Sequence, residues 1–336
     1  MLLPFQQPKA AGNGNIVFAG DIGATKTNLA MYRVENGKYR LLQEAKLVSK
    51  DYNNIAELTG EFTRDTPEPD AICFGVAGPV LNGHATLSNL QWEIDIKEIT
   101  AQYKTAKVHL INDLKATAYG LAVLDEKDTA VVHKGNSAVG GNAAIIAPGT
   151  GLGEAGLYWD SQYYHPFATE GGHADFAARS SFDFELYTYL QQQFEHVSWE
   201  RLVCGPGIVN IYRFLRDEMK MEEPGWLKEK MANADKAATI SENAEQCLIC
   251  EETMRCFMRY LAYECANLVL KLNATGGLFI GGGIAPQIVR LFEHDAFYTS
   301  FRQKGRLNFL LEKVPVKIIL NNKTALLGAA YYAATR

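Results

Sequence analysis

The residues able to do chemistry lie in six short stretches of the 336-residue chain. Asp21-Ile-Gly-Ala-Thr-Lys-Thr27 follows an apolar run and precedes another. Backbone N–H groups in such a glycine turn cradle phosphate, and Thr25, Lys26 and Thr27 add donors. It is not a Walker loop: no Gly precedes Lys26, and a strand rather than a helix follows. Read alone, it serves equally as a hairpin turn. Asn112-Asp113 closes the apolar run Val108–Ile111 and opens a helical pattern. Asp113 stands where a helix N-cap stands. A helix N-terminus also keeps a carboxylate ionised and ready to accept a proton. Local reading favours the cap, and the two roles are compatible.

Gly149-Thr-Gly-Leu-Gly153 again joins strand to strand. It is either a bulged turn or a place where ligand approaches backbone. It lacks the spacing and following helix of a dinucleotide fingerprint. Gly281-Gly-Gly283 follows an apolar run and lets a nucleoside lie against backbone, or simply lets strand and helix pack closely. Glu170-Gly-Gly-His173 sets two polar groups around two glycines, a loop suited to ligand capture; a buried, hydrogen-bonded His173 is the plainer account. A metal there needs a third ligand such as His165. Ser198-Trp-Glu200-Arg201 resembles a helix start, where Glu200 would merely match the dipole.

The elements that position these groups follow from periodicity. Ile16–Gly20 and Leu29–Val34 are apolar runs, and Asn36-Gly37 is a strong hairpin signal. Apolar residues in 71–76, 107–111, 143–147, 278–280 and 316–320 predict further strands. Helical spacing marks 54–62, 96–103, 114–124, a long stretch 244–272, a short helix 287–293 with Pro286 in its first turn, and 323–334. Strand, glycine turn, strand occurs twice, which suggests two related halves. The class is α/β.

Composition is that of a globular protein: 47% hydrophobic and 21% charged. A net charge of −5 argues against a nucleic-acid partner. No run of about 18 apolar residues predicts a membrane span. Residues 1–15 make a poor signal peptide and are expected to be a flexible lead-in. The six cysteines sit in apolar or helical surroundings, which suggests reduced thiols in the cytoplasm. Cys247 and Cys250 lack a second ligand pair, so no zinc is expected.

Taken in order, the motifs resemble the bacterial glucokinase family, within the hexokinase and actin-like ATPase superfamily. The resemblance runs from about residue 16 to 336. It is carried by Asp21-x-Gly23-x-Thr25, Ile111-Asn112-Asp113, Gly149-Thr-Gly-Leu-Gly153, Glu170-Gly-Gly-His173-Ala-Asp-Phe176, Gly205-Pro-Gly207 and Gly281-Gly-Gly283. It implies a two-domain actin-like (ribonuclease H-like) fold. The small domain would span 16–111, with the helix 324–336 packed back on it, and the large domain 112–323. It implies ATP-dependent phosphorylation of a hexose 6-hydroxyl, most simply glucose to glucose 6-phosphate, with Asp113 as general base. Asn112, Glu170, His173 and Glu200, with Asn89 in Leu87-Ser-Asn89, would bind the sugar. Asp21, Gly23, Thr25, Gly149, Thr150, Gly151 and Gly153 would hold phosphates, with Mg²⁺ on Asp21. Gly281, Gly282 and Gly283 would lie near adenosine. A cytoplasmic homodimer is expected.

The chain departs from the pattern at Ala24, where family members often carry a second Gly, and at Lys26. Only Cys204 follows the Glu170–His173 stretch closely. That separates the chain from the related repressor/ORF/kinase family, which has a cysteine-rich zinc motif there. Two other readings stay open at this level: a kinase for another sugar or amino sugar, and a sugar-sensing protein without turnover. A DNA-binding version is disfavoured, since about twenty residues before the first motif leave no room for a helix-turn-helix.

Overall fold

The computed structural model describes residues 2–6, 14–87, 90–104, 107–135, 140–293 and 295–336. In chain order come β1 (Ile16–Ile22), β2 (Lys26–Glu35), β3 (Lys38–Val48), α1 (Ile55–Thr63), β4 (Ala71–Val76), β5 (His84–Leu87), β6 (Trp92–Asp95), α2 (Ile96–Tyr103), β7 (Val108–Asn112) and α3 (Asp113–Gly120). There follow β8 (Thr129–His133), β9 (Ala143–Pro148), β10 (Leu152–Trp159), β11 (Tyr164–Thr169), α4 (Ser181–Gln191), α5 (Gly205–Asp217), α6 (Gly225–Asn233), α7 (Lys236–Glu242) and α8 (Leu248–Leu272). The chain ends with β12 (Gly277–Ile280), α9 (Asp295–Arg302), α10 (Asn308–Leu311), β13 (Val316–Ile319) and α11 (Thr324–Thr335). Residues 285–292, expected to hold a short helix, form a kinked 3₁₀ stretch.

Two compact units result. The first comprises 1–128, 155–168 and 321–336, and the second 129–154 and 169–320. These bounds differ from the expected 16–111 and 112–323, because α3 packs on α11, β4 and β7.

The first unit is built on a sheet ordered β3-β2-β1-β4-β7. β2 pairs antiparallel with β1 and β3, while β1, β4 and β7 run parallel. Asn36 and Gly37 turn the β2–β3 hairpin with φ of 50° and 72°, the left-handed conformation that Asn-Gly favours. β4 is buried along its whole length, as expected of a strand covered on both faces. Helices α3 and α11 cross closely: a Cβ on Gly328 would lie 1.8 Å from the Ala116 carbonyl oxygen, and one on Gly120 2.3 Å from that of Thr324. Both positions therefore require glycine.

Part of the expected lead-in is not free. Leu3 and Phe5 are buried, and Phe5 packs against Tyr119, Tyr164 and Tyr331. Leu3 and Phe5 are too short an apolar run to mark an element, and their partners lie far off in the sequence.

The second unit holds the sheet β11-β10-β9-β12-β13-β8. Its first five strands repeat the order of the first sheet, and β8 is added antiparallel at the edge. β9, β12 and β13 run parallel. This repeated order accounts for the two strand–turn–strand patterns in the sequence. The 25-residue α8 ends at Asn273, a left-handed C-cap at φ 48°.

Candidate functional site

In the first unit, three parallel strands bring their carboxyl ends level. Asp21 of β1 registers with Gly75 of β4, and Gly75 with Ile111 of β7. Asn112 and Asp113 then turn the chain from β7 into α3. The helix can start this close to the sheet because Gly75 has no side chain: a Cβ there would sit 2.9 Å from Ala116 Cβ. Asn112, not Asp113, is the N-cap. Its Oδ1 accepts from the backbone N–H of Leu114 (2.9 Å) and Lys115 (3.0 Å), and its Nδ2 donates to the Gly78 carbonyl (3.1 Å). Asp113 is the first helical residue, and its Oδ1 accepts from the Leu114 N–H at 2.8 Å. The cap duty that competed with a chemical role for Asp113 thus falls to its neighbour. Asn112 keeps one amide N–H beyond these bonds.

Asp21 faces Asn28 across the β1–β2 pair, and Asn28 Nδ2 donates to Asp21 Oδ2 at 3.1 Å. Burial raises the Asp21 pKa, and the Asn28 hydrogen bond works against the rise. By accessible area Asp21 is only half-buried, the better guide to whether a ligand can reach it. The turn beyond is pinned from outside. Gly23 N–H donates to the Lys26 carbonyl (3.1 Å), and Ser49 Oγ donates to the Gly23 carbonyl (2.6 Å). Ala24 has no positive φ, so the second glycine common in the family is not needed for this turn. Thr25 and Lys26 are exposed.

In the second unit, three glycine stretches meet at the end of β9. Gly149 N–H donates to the Gly151 carbonyl (2.8 Å), and the Gly149 carbonyl accepts from the Gly205 N–H (2.9 Å) at the start of α5. Gly282, at φ 76°, lies so close to Pro148 that a Cβ would be 2.3 Å from its carbonyl oxygen. A helix N-terminus beside a glycine turn is an anion-binding arrangement. Thr150 and Gly153 belong to the same turn and strand start.

Glu170 and His173 are exposed, on a loop whose residues Gly171–His173 form one 3₁₀ turn. The segment carrying Glu200 is laced to that loop: Phe176 N–H donates to the Val197 carbonyl (2.9 Å), and Trp199 N–H to that of Ala174 (3.0 Å). Glu200 lies in a 3₁₀ turn, Trp199–Arg201, rather than the start of a longer helix. It reaches the glycine turn, where its Oε2 accepts from the Leu152 N–H at 2.9 Å. Glu170, His173, Glu200 and Gly149–Gly153 are therefore one assembly. Three groups in these sites escaped sequence reasoning: Asn28, Ser49 and Glu154, the last buried beneath Gly171. Asn28 carried a signal, since Asn directly after a phosphate-type turn is polar inside an apolar strand.

Asn89 lies outside the described residues. His165 pairs with Asp160 (2.6 Å) on the surface. Among the described residues no group of three His, Cys, Asp or Glu is arranged to hold a metal. All six cysteines are buried and free. Among the described residues no helix is long and apolar enough to cross a membrane.

A family model described as Glucokinase matches residues 18–336. The chain is 38% identical to a glucokinase of Trichormus variabilis, over 95% of this chain and 99% of that one. It is 32% identical to one of Aromatoleum aromaticum, over 93% and 92%. Its fold is similar to the crystal structure of a glucokinase from an Antarctic psychrotroph (TM-score 0.82, 30% identity, covering 96% of this chain and 99% of that one). It is also similar in fold to a Balamuthia mandrillaris glucokinase solved with glucose (TM-score 0.80, 20% identity, 97% and 95%). Matched by the family model over residues 18–336 and 38% identical to a curated glucokinase along nearly its whole length, the chain belongs to the glucokinase family and has the two-domain actin-like ATPase fold.

Proposed function

We propose that this chain performs its family's reaction, phosphoryl transfer from ATP to glucose, with Asp113 taking the proton of the 6-hydroxyl. One observation carries the assignment: Asn112 makes the cap, which leaves Asp113 as a carboxylate in the first turn of α3. There the helix dipole and the Leu114 N–H favour its ionised form. An ionised carboxylate within reach of a hydroxyl contributes about 10²–10⁴-fold.

Glu170, His173 and Glu200 are the groups proposed to bind the sugar's other hydroxyls, with Asn112 offering its remaining N–H. A site that pairs each hydroxyl discriminates strongly against analogues lacking one. The turns at Gly23–Thr25 and Gly149–Gly153, with the α5 N-terminus, suit the phosphates, and Gly281–Gly283 suits the nucleoside. Phosphoryl transfer depends mainly on positioning and charge neutralisation, and both are within reach of fixed backbone N–H groups. Asp21, a half-buried carboxylate at the end of β1 beside the Gly23 turn, is the group proposed to hold Mg²⁺. When bound, the ion would neutralise phosphate charge, and Asp21, whose carboxylate Asn28 orients, would hold it.

A coupled assay with ATP, Mg²⁺ and a panel of hexoses tests the reading. Glucose is the expected best substrate, and Asp113→Ala should lower kcat by at least ~10² while glucose binding persists. Near-normal turnover in that variant removes Asp113 from the base role, and a parent protein inactive on every hexose overturns the reading.

A further inference from the structure

The start of β10 underlies every group assigned to the sugar in the second unit. Leu152 donates its N–H to Glu200. The Leu152 carbonyl oxygen lies 2.1 Å from where a Gly172 Cβ would be. Two residues on, a Glu154 carboxyl oxygen lies 1.9 Å from where a Gly171 Cβ would be. Thr169 Oγ1 donates to the Glu154 carbonyl (3.2 Å) and accepts from the Gly171 N–H (3.3 Å). The two glycines of Glu170-Gly-Gly-His173 are there because the loop lies directly on this strand.

Glu154 is an unusual support. Its residue is 1% exposed, and its Oε1 has no hydrogen-bond partner among the described residues. It interacts with Glu264 of α8, also fully buried, which accepts from Asn267 (2.8 Å) and pairs with Lys271 at 3.4 Å. Burying a carboxyl costs more than burying an apolar side chain of the same size, so packing alone does not account for it.

We propose that Glu154 is a positioning residue for hexose binding: its carboxyl fills the space under Gly171 and sets where Glu170 and His173 stand. The proposal rests on the reading of Glu170 and His173 as sugar ligands. Burial first, and the Glu264 charge second, raise the Glu154 pKa, while Lys271 opposes the rise. Lys304, which bonds Asn267 from beyond α9, and Arg179 near it complete the charged surroundings. Ionising Glu154 sets a second anion against Glu264 directly under the loop.

Steady-state kinetics with the full-length protein test this. Glu154→Ala should raise the glucose KM about tenfold, with the ATP KM and kcat changed far less. Glu154→Gln, similar in shape and always neutral, should restore the glucose KM. The parent's glucose KM should climb as pH rises above neutrality, and Glu154→Gln should flatten that climb. A Glu154→Ala enzyme with lowered Tm and unchanged glucose KM overturns the proposal, since a purely structural role predicts that result. If Glu154→Ala does not fold, the pH profile of Glu154→Gln decides, and a profile matching the parent's counts against the proposal. Glu170→Gln separates the two levels. If it leaves the glucose KM alone, the sugar-loop reading fails; if it raises that KM and Glu154→Ala does not, only the positioning role fails.

Discussion

The Glu200 carboxylate accepts a hydrogen bond from the Leu152 backbone N–H at 2.9 Å, which ties a proposed sugar ligand to the Gly149–Gly153 turn. A Cβ on Gly151 would stand 2.5 Å from the same Glu200 oxygen, so the contact is tight. Groups proposed for glucose and for phosphate therefore share one carboxylate.

Glu200→Gln is expected to raise the KM of glucose and, through Leu152, that of ATP. A hydrogen bond to a charged group is worth about 1.5–3 kcal/mol, which corresponds to roughly 10- to 100-fold in kcat/KM. Initial rates measured while glucose and ATP are varied separately give both constants. An effect confined to ATP would show that Glu200 does not touch the sugar.

Asp21→Asn keeps the size of the side chain and removes its charge. The Mg²⁺ concentration giving half-maximal rate should rise at least about tenfold, and kcat should fall. The measurement is a Mg²⁺ titration at saturating ATP and glucose. An unchanged titration means that Asp21 holds no cation.

Gly328→Ala sets two effects against each other. Alanine favours a helix by about 1 kcal/mol over glycine. Its methyl, however, would meet the Ala116 carbonyl oxygen at 1.8 Å. Overpacking of this kind costs about 1–3 kcal/mol, so a net loss of stability is expected. Since α3 begins at Asp113, kcat should fall as well. A rise in the denaturant midpoint would show that α3 and α11 do not cross this closely.

Stability should fall with rising pH. Glu154 and Glu264 both hold their protons more tightly in the folded chain than their ordinary value of 4.5. Above that value the unfolded chain ionises these groups before the folded one does, so the unfolded state gains. The stabilisation is complete below pH 4.5 and is lost as pH climbs through the raised values. Urea midpoints taken from about pH 5 to about pH 8 should decline in the parent and decline less in Glu154→Gln. Equal slopes in the two proteins would mean that Glu154 does not carry the linkage.

The sequence by itself determined the features that depend on near neighbours. Asn36-Gly37 takes left-handed backbone more readily than other pairs, so the β2–β3 hairpin was legible. Glycines spaced around Thr150 and the apolar run ending at Asn112 marked a turn and a strand–helix junction. Their order along the chain was specific enough to indicate the family, and with it the actin-like fold. Tertiary structure decided what distant residues settle together. Asn112 and Asp113 are both good caps, and the folded chain gives the cap to Asn112, whose amide also reaches the Gly78 carbonyl 34 residues away. Ser49 holds a turn 26 residues earlier, and Glu200 reaches an N–H 48 residues away. Glu154 looks like any polar residue in a strand until Gly171 and Glu264 close over it. Strand register and helix crossing create these contacts, and neither leaves a periodic trace near the residues concerned.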